Sequence, residues 1–467
     1  MRPDSVVRIF VTTQEPDYDN PWQASSPSRG TGSGVVIGPR RVLTGAHVVA
    51  DATFIRAQTT TSPDKFTARL VGICHDADLA LLEVDDPAFM DGVEIAELGE
   101  LPSRGDKVSV VGFPVGGEEI SVTEGVVSRI EIQRYSHSDR TLLAVTVDAA
   151  INSGNSGGPV FLDGRVAGVA FQSLDDAENV GEMVPVSLVR RFLSGVDQDR
   201  PLAIPGLGFL GQTLENPTLR ESLGMGPSDS GVLVRSVAYG GSVHGRVRSG
   251  DVLMEIDGYP IANNGTIQYL GQHRTGYVVV LGDHYVGDEL SLVLLRGGER
   301  HELEITLGEP TPLVAHSQYD VDPRYFVYGG LVFQPLSMNF LATWDRWWNH
   351  APKEFLYHFH FGIPTEDRRE VVALTQVLAD EVNVGYESRY CESVVAVDGH
   401  KPRDLEDFVR WVEAAEGILR LEMSSGCSVV LDVAAVRAAQ PRVLERYRIP
   451  RDRSERLSAG PVAVPEP

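Results

Sequence analysis

The chain has 467 residues, which is too long for one hydrophobic core and predicts about three domains. Its formal net charge of −24 disfavours nucleic-acid binding, because an acidic protein repels phosphate backbones. The 47 glycines favour all-β modules with many tight turns over a helical bundle.

The cysteines and the N-terminus bear on the compartment. Cys74, Cys391 and Cys427 are odd in number and the first lies far from the others, so they predict no disulfide framework and fit a reducing compartment. Residues 1–7 contain no apolar segment or cleavage site of a secretory signal. The sequence also lacks a run of about 18 apolar residues, the length needed to span a membrane. We therefore expect a cytoplasmic protein, with an organelle left open.

Residues 1–197 predict a mainly β domain. Residues 34–37, 107–111 and 143–147 are apolar, β-branched and bounded by glycine, as barrel strands are. Asp163-Gly164 predicts a hairpin turn, and no long amphipathic helix suggests a parallel α/β sheet. The glycine run 30–34 lacks the Lys-Ser/Thr of a phosphate loop, so it predicts the start of a barrel strand rather than a nucleotide site.

The rest of the chain predicts two related domains. A break near Pro201 and Pro205 separates them from the first region, and predicted boundaries are 1–197, 203–310 and 320–450. In each later domain a strand enters an Asp-Gly turn, at Asp257-Gly258 and at Asp398-Gly399, before a polar stretch that could cap a helix. Residues 451–467 are charged and then rich in Pro and Ala, which predicts a disordered tail.

Ser156 is the candidate nucleophile, in the run Gly-Asn-Ser-Gly-Gly-Pro at 154–159. A serine hydroxyl is a weak nucleophile that needs a histidine base, a carboxylate to orient the base, and amide donors for the oxyanion. Gly154 lets the backbone turn so that the N–H groups of Gly154 and Ser156 converge on one oxygen. Gly157 and Gly158 leave room for a substrate backbone.

His47 and Asp78 are the candidate base and orienting acid. Residues 43–49 predict a strand that passes into a short turn or helix at His47, and Asp78 opens an apolar strand that would hold it rigid; Asp76 is its rival. The run around Ser156 also fits the nucleophile elbow of α/β-hydrolases, whose order is Ser, acid, His. Here the order is His, Asp, Ser, as in chymotrypsin-like barrels, and Pro159 rather than a helix follows the serine.

These runs resemble the HtrA/Deg family of PDZ-bearing serine proteases. The resemblance is carried by residues 44–49, 78–81, 112–116 and 148–159. It implies a chymotrypsin-like double β-barrel followed by two PDZ-like α+β domains. It also implies an ATP-independent endopeptidase for unfolded or damaged proteins, with no cofactor, assembled as homotrimers or larger multiples. The family's catalytic residues fall on His47, Asp78 and Ser156.

Three features are similar to the plant-type Deg branch of the family, whose members occupy organelles and the nucleus. They are Pro21-Trp22 near the start, residues 215–217 in the first PDZ-like domain, and residues 330–333 at the start of the second. That branch combines a protease domain with a first PDZ domain and an unusual second one.

The substrate pocket is predicted to be apolar. In chymotrypsin-like barrels the base of the S1 pocket lies six residues before the nucleophile, at Ala150 here, and an uncharged base disfavours cleavage after Arg or Lys. Ile151, Ala170 and Phe171 are expected to shape the pocket. The resemblance implies small aliphatic P1 side chains, and discrimination of about 1–3 kcal/mol per methylene gives broad specificity.

The predicted PDZ carboxylate loop is Gly206, Leu207, Gly208 and Phe209, whose N–H groups would bind a peptide C-terminus. A second cluster combines tryptophans and histidines, and we expect it to form a contact between domains or subunits rather than a ligand or metal site. Its members are Trp344, Trp347, Trp348, His350, His358 and His360. The rival function is a PDZ scaffold or chaperone with a dormant protease domain.

Overall fold

The computed structural model describes residues 3–114, 119–149, 151, 154–173 and 180–458. It divides into two compact units, which we describe separately. The first unit comprises Met1–Gln14, Pro27–Val237 and Gly241–Pro310, and the second comprises Glu15–Ser26, Ala238–Gly240 and Thr311–Pro467. No helix in the described ranges is long and apolar enough to cross a bilayer.

The first unit begins with a closed six-stranded barrel in which the strands run in the order β1-β2-β3-β6-β5-β4. Its core is mostly aliphatic, because β-branched and leucine side chains alternate inward along the strands, and Phe89 completes it. The glycine run 30–34 lies in β2, as predicted. The elements are β1 Val6–Thr13, β2 Ser28–Gly38, β3 Arg41–Thr44, α1 Ala46–Val49, β4 Ala52–Thr59, β5 Phe66–Cys74 and β6 Leu79–Val84.

A second closed barrel follows, in the order β10-β11-β12-β9-β8-β7. The predicted Asp-Gly turn joins two of its strands, and Asp163 and Gly164 have φ of 50° and 79°, the left-handed values that a two-residue hairpin loop requires. The elements are β7 Lys107–Gly112, β8 Ser121–Arg134, β9 Thr141–Val147, β10 Pro159–Leu162, β11 Arg165–Ser173, β12 Gly181–Pro185 and α2 Val186–Asp197. Two closed barrels confirm the predicted double-barrel fold.

The first unit ends in a smaller sheet of order β13-β14-β15-β19-β20, with β16 paired to β15. The prediction of a helix soon after Asp257-Gly258 is wrong for this sheet. A β-hairpin and the 3-10 helix Tyr277–Asp283 take its place, and Val278 to Val280 in that segment are β-branched, which disfavours an α-helix. The elements are β13 Phe209–Thr213, α3 Pro217–Ser222, β14 Val232–Val237, β15 Val252–Ile256, β16 Tyr259–Pro260, β17 Thr266–Tyr269, β18 His273–Gly276, β19 Glu289–Arg296 and β20 Glu299–Thr306.

The second unit contains a six-stranded sheet of order β21 to β26. The helix predicted after Asp398-Gly399 is present as α7, because Asp404 caps it by accepting the Asp407 N–H at 2.8 Å. The elements are β21 Phe326–Tyr328, β22 Leu331–Pro335, α4 Met338–Leu341, α5 Trp347–His350, α6 Lys353–Phe361, β23 Val372–Val377, β24 Glu392–Val397, α7 Leu405–Ala414, β25 Ile418–Met423, β26 Ser428–Asp432, α8 Val433–Arg446 and α9 Glu455–Ser458.

The segment Glu15–Ser26 lies between β1 and β2 in the chain but belongs to the second unit. Tyr18 is buried in an apolar cluster with Leu336 and Phe340, and its carbonyl accepts a 3.0 Å hydrogen bond from Gln334. Trp22 packs edge-on against Tyr325 with ring centroids 6.0 Å apart. The aromatic side chains of this segment therefore form part of the core of the second unit.

Most of the predicted tryptophan and histidine cluster packs within the second unit. Trp344 lies against Phe340, and Trp347 lies against Phe359 and stacks on His360. The other two histidines contact polar groups: His350 Nδ1 is 2.6 Å from the Asp345 carbonyl, and His358 Nε2 is 3.1 Å from Arg368. Trp348 is 57% exposed.

Residues 451–458 differ from the expected disordered tail. The Val327 N–H donates to the Asp452 carbonyl at 2.6 Å, and the Ser454 N–H donates to the Tyr325 carbonyl at 3.1 Å. The charged residues are therefore held against β21, because backbone pairing does not depend on an apolar composition. Residues 459–467 of the predicted tail lie outside the described ranges.

Candidate active site

The first barrel positions His47 and Asp78 side by side. His47 lies in α1, directly after β3, and Asp78 ends the turn between β5 and β6, so neighbouring strands deliver both residues. One Asp78 carboxylate oxygen accepts the His47 backbone N–H at 2.8 Å, and the other lies 2.7 Å from His47 Nδ1. This two-point attachment fixes the ring and directs Nε2 away from the carboxylate.

Burial and charge set the pKa values of the pair. Burial of the His47 imidazole opposes its protonation, but the Asp78 charge and hydrogen bond outweigh this effect and raise the pKa of His47 above its usual 6.5. Asp78 is 1% exposed. Its burial favours the neutral acid, yet the attraction and hydrogen bond of His47, together with the charge of His137, lower the pKa of Asp78. Asp78 is therefore an ionised partner for a histidine base.

The loop that carries Ser156 packs closely against the first barrel. Gly157 has φ of 79°, and a Cβ there would lie 2.6 Å from the Ser33 carbonyl oxygen, so only glycine fits. The Gly157 N–H donates to Ala170 at 2.7 Å, and the Ser33 N–H donates to the Ser156 carbonyl at 3.1 Å. Ser156 is half-buried between these anchored neighbours.

Ser33 holds the predicted oxyanion segment. Its hydroxyl donates to the Gly154 carbonyl at 2.7 Å and accepts the Phe113 N–H at 2.8 Å. The Ser33 carbonyl accepts the Thr44 hydroxyl at 2.7 Å. Gly154 has φ of 100° in the conformation that directs its carbonyl to Ser33. Glycine tolerates this positive φ, which other residues rarely adopt.

Within the described part of the chain, His47 Nε2 and the Ser156 hydroxyl are not hydrogen-bonded. His47 Nε2 is buried and has no hydrogen-bond partner in the described part of the chain. In proteases without substrate this bond is often long and tightens only in the substrate complex. The geometry therefore joins His47 to Asp78 and leaves Nε2 available for a proton.

The predicted S1 residues lie next to this loop, apart from Ala150, which is outside the described ranges. The Ala170 N–H donates to the Gly158 carbonyl at 2.9 Å, so Ala170 anchors the loop that carries Ser156 through its backbone. Phe171 packs on Tyr135 with ring centroids 4.4 Å apart. Ile151 is buried against Gly181.

The predicted carboxylate loop leads into the outer strand β13, which pairs with β14 on one side. The Gly206 N–H donates to the Gly308 carbonyl at 3.0 Å, and the Leu207 carbonyl accepts the Val243 N–H at 3.1 Å. Gly208 has φ of 82°, and the Phe209 ring stacks on Tyr277 with centroids 6.3 Å apart. The loop is thus held at its start by backbone bonds.

Sequence reasoning missed the residues that support the acid. His137 lies near the pair, with its ring centroid 6.4 Å from that of His47, and its Nε2 is 3.0 Å from His75 Nδ1. Ser33 was also missed. Only the fold reveals these two residues. His137 lies between β8 and β9, far from Asp78 in the chain, and Ser33 lies in β2, far from Ser156.

Comparison with known proteins identifies both domain types. A trypsin-like peptidase domain model matches residues 32–169, and a PDZ domain model matches residues 314–456. Among curated proteins, Putative protease Do-like 3, mitochondrial, of Arabidopsis thaliana is 33% identical over 97% of this chain and 80% of its own length. Protease Do-like 2, chloroplastic, of the same plant is 34% identical over 97% of this chain and 75% of its own length.

Two solved structures of HtrA-type protease AlgW are also similar. The form with tripeptide is 25% identical, has a TM-score of 0.52, and covers 67% of this chain and 96% of the AlgW chain. The form with decapeptide is 23% identical, has a TM-score of 0.50, and covers 67% of this chain and 97% of the AlgW chain. This second match supports the fold of the protein.

The barrels, the matched domains and the relatives define a PDZ-bearing serine endopeptidase of the trypsin-like class. More narrowly, the chain belongs to the HtrA/Deg family of serine proteases, in its plant-type branch. The relatives are proteases, which supports that function rather than the rival scaffold with a dormant protease domain.

The expectation of a cytoplasmic protein is wrong. Do-like 3 and Do-like 4 are named mitochondrial proteins and Do-like 2 is named chloroplastic. The absence of a recognisable secretory signal misled the prediction, because it does not bear on organelles that are reached by other routes.

Proposed function

We propose that Ser156, His47 and Asp78 form the catalytic triad of this endopeptidase. Ser156 Oγ attacks the carbonyl carbon of the scissile peptide while its proton passes to His47 Nε2. Asp78 remains ionised and stabilises the imidazolium that forms. The N–H groups of Gly154 and Ser156 stabilise the oxyanion.

The same groups carry out the second half of the reaction. His47 returns the proton to the leaving amine as the C–N bond breaks, and the acyl group stays on Ser156. A water molecule then gives a proton to His47 Nε2 and its oxygen attacks the acyl carbon. The ester bond to Ser156 Oγ breaks as His47 passes that proton to Oγ, which restores the serine hydroxyl and releases the new C-terminus. The reaction as proposed needs no cofactor.

The observation that carries this assignment is the double attachment of His47 to Asp78, at 2.8 and 2.7 Å. It is tested with unfolded casein and a fluorophosphonate probe, comparing wild type, Ser156→Ala and the matched variant Ser128→Ala. Ser128 is another serine of the second barrel, and its hydroxyl donates to Thr146. Labelling and cleavage are expected in wild type and Ser128→Ala only. Equal labelling of Ser156→Ala would overturn the assignment of the nucleophile.

For the substrate we propose unfolded or damaged protein with small apolar P1 residues. The apolar side chains of Ile151, Ala170 and Phe171, together with Ala150, support this preference by the reasoning on the pocket given above. A peptide library varied at P1 tests it: Val, Ala and Ile are expected to exceed Lys and Arg in kcat/KM. A preference for Arg or Lys would contradict the proposal.

For the first PDZ-like domain we propose binding of peptide C-termini along β13. Support comes from the outer position of β13 in its sheet and from the glycines of the loop Gly206 to Phe209. Fluorescence anisotropy in Ser156→Ala protein would compare an apolar peptide ending in a carboxylate with its C-terminal amide. Equal affinities would refute carboxylate recognition.

We further propose a homo-oligomer, a trimer or a multiple of one, located in a mitochondrion or plastid. The family and the names of the plant relatives support both statements. Sedimentation of the full chain and imaging of a tagged protein in its own cells are the measurements. A monomer at micromolar concentration would contradict the first, and exclusively cytosolic signal the second.

A further inference from the structure

The segment that leaves the double barrel is bound through its backbone at four consecutive residues, Leu202 to Pro205. Cys74 Sγ and Arg191 Nη1 both donate to the Leu202 carbonyl at 3.0 Å. Arg191 Nη2 donates to the Ala203 carbonyl at 2.9 Å. A connection between two domains usually has few contacts, so this linker is bound far more firmly than a connector needs.

Asp76 and Arg140 bind the remaining groups of the linker. The Asp76 carboxylate accepts the Ile204 N–H at 2.7 Å and pairs with Arg140 Nη1 at 3.2 Å. Arg140 Nη2 then donates to the carbonyls of Ile204 and Pro205, each at 3.0 Å. Because these side chains are only 23% and 16% exposed, the charges are poorly screened and the bonds are stronger than at an open surface.

Asp76 also belongs to the turn that carries Asp78, and Arg140 lies close to the residue that binds this turn. The Asp78 N–H donates to the His75 carbonyl at 3.2 Å, which closes the turn. The Ser138 hydroxyl, two residues before Arg140 on the tip of the β8–β9 hairpin, donates to the Asp76 carbonyl at 2.8 Å. Asp78 itself has φ of 52°, a sparsely populated conformation for a residue with a side chain, so it needs support from its surroundings.

Asp76 does not orient His47 directly. Both oxygens of Asp78 contact His47, whereas the Asp76 carboxylate contacts the Ile204 N–H and Arg140. The two acidic residues of one short turn therefore bind different parts of the molecule. Asp76 was a rival for the orienting acid in the sequence, and only these contacts in the fold distinguish it from Asp78.

We propose that Asp76 and Arg140 are positioning residues for catalysis, which clamp the linker 202–205 against the Asp78 turn and thereby fix the Asp78 carboxylate on His47. The proposal rests on the proposed function, because it takes His47 as the base and Asp78 as its orienting acid. It makes the linker part of the support of the active site. Asp76 and Arg140 act through Asp78 and not on the reacting atoms.

The test uses full-length Asp76→Ala and Arg140→Ala, the milder Asp76→Asn and Arg140→Lys, and the control Glu83→Gln. Glu83 lies on β6, at the far end of the strand that follows Asp78, and pairs with Arg69 at 2.9 Å. For Asp76→Ala and Arg140→Ala, kcat on a short peptide is expected to fall by roughly 10- to 100-fold, the effect of a displaced catalytic group. KM is expected to stay within about twofold.

The pH profile separates positioning from loss of fold. If Asp78 is displaced, His47 loses charge support, so the acid limb of kcat/KM shifts to lower pH in both alanine variants but not in Glu83→Gln. Asp76→Asn keeps an acceptor for the Ile204 N–H and is expected to recover part of kcat. Should the alanine variants unfold, Asp76→Asn and Arg140→Lys must still show a lower kcat and the shifted limb. Wild-type kcat and an unshifted limb in the folded variants would overturn the proposal.

A second readout does not depend on turnover. In a Ser156→Ala background the His47 imidazole can be titrated by proton NMR with and without Asp76→Ala. A lower His47 pKa in the double variant supports the clamp, and an unchanged pKa refutes it. If instead the wild type resists the fluorophosphonate probe while the His47 pKa still responds to Asp76, the proposed catalytic function fails and the clamp stands.

Discussion

The hydroxyl of Ser33 lies 2.7 Å from the carbonyl oxygen of Gly154 and donates a hydrogen bond to it. Ser33 belongs to β2 of the first barrel, and Gly154 belongs to the loop of the second barrel that carries the proposed nucleophile. The same hydroxyl accepts the Phe113 N–H. One buried side chain therefore ties the two barrels together at the segment whose amides are proposed to face the oxyanion.

Replacing Ser33 should impair catalysis and stability together. In Ser33→Ala the Gly154 carbonyl loses its donor and the buried Phe113 N–H loses its acceptor, which costs about 1–3 kcal/mol of unfolding free energy. We expect kcat to fall by roughly 10-fold or more as the oxyanion donors lose their alignment. Ser128→Ala, with its more exposed hydroxyl, is the control in denaturant unfolding and peptide hydrolysis. Wild-type kcat in Ser33→Ala would remove Ser33 from the support of the oxyanion hole.

The pH dependence should follow His47. Its pKa is raised above 6.5, and the base works only when neutral, so kcat/KM should rise with pH through a midpoint above 6.5. In Asp78→Asn the charge that raises this pKa is gone, so the midpoint should move down while kcat falls by about 10⁴-fold. Stopped assays across pH 5 to 9 measure both. A midpoint that stays in place in Asp78→Asn would exclude this coupling.

Gly157 offers a test of close packing at the nucleophile. Gly157→Ala should abolish activity, because its Cβ would lie 2.6 Å from the Ser33 carbonyl oxygen in a conformation with φ of 79°. Gly105→Ala controls for the backbone conformation alone, since Gly105 has φ of 92° with no heavy atom within 4 Å of the added Cβ. Peptide hydrolysis and thermal unfolding of both variants decide the matter. Comparable losses in the two variants would point to φ strain rather than the clash.

In the second unit, Glu354 should stabilise the packing of α6 on the sheet. Its carboxylate accepts the Ser393 and Ser424 hydroxyls and lies near His358. Burial opposes ionisation, but these contacts outweigh it and lower the pKa of Glu354 to about 2 from its usual 4.5. The stabilisation is therefore fully present above about pH 4.5 and is lost as the pH falls through about 2.

Glu354→Gln tests this directly. Because the side chain is 32% exposed, we expect a loss of only about 1–2 kcal/mol near pH 7, and less at pH 3. Thermal unfolding of the full chain at both pH values measures the difference, with the 91% exposed Glu381 changed to Gln as control. A loss that does not shrink at pH 3 would mean that the charge of Glu354 does not matter.

The sequence predicted the features that depend on neighbouring residues. The strand before His47, the strand after Asp78 and the Asp163-Gly164 hairpin follow from local patterns of apolar, β-branched and turn residues. The missing helix after Gly258 shows the limit of that reasoning, because the Asp-Gly turn is the same in both domains while the following residues differ in their preferences.

Features that join distant parts of the chain could not be predicted in this way. Asp76 and Asp78 both suit an orienting acid, and only the folded positions of Ile204 and Arg140 distinguish them. Pro21-Trp22 was noted in the sequence, yet nothing local indicates that Trp22 packs against Tyr325. A residue's partner across a fold is set by topology, which the periodicity of a single segment does not contain.

The membership of Glu15–Ser26 in the second unit has a consequence for synthesis on the ribosome. Tyr18 and its partner Gln334 are 316 residues apart, so at ordinary elongation rates roughly 15 to 60 s separate their appearance. During that time Tyr18 and Trp22 have been made but their apolar partners have not. The nascent chain therefore presents aromatic surface until its last domain emerges, and a chain that terminates before residue 325 would retain that surface as a site for chaperones and for degradation.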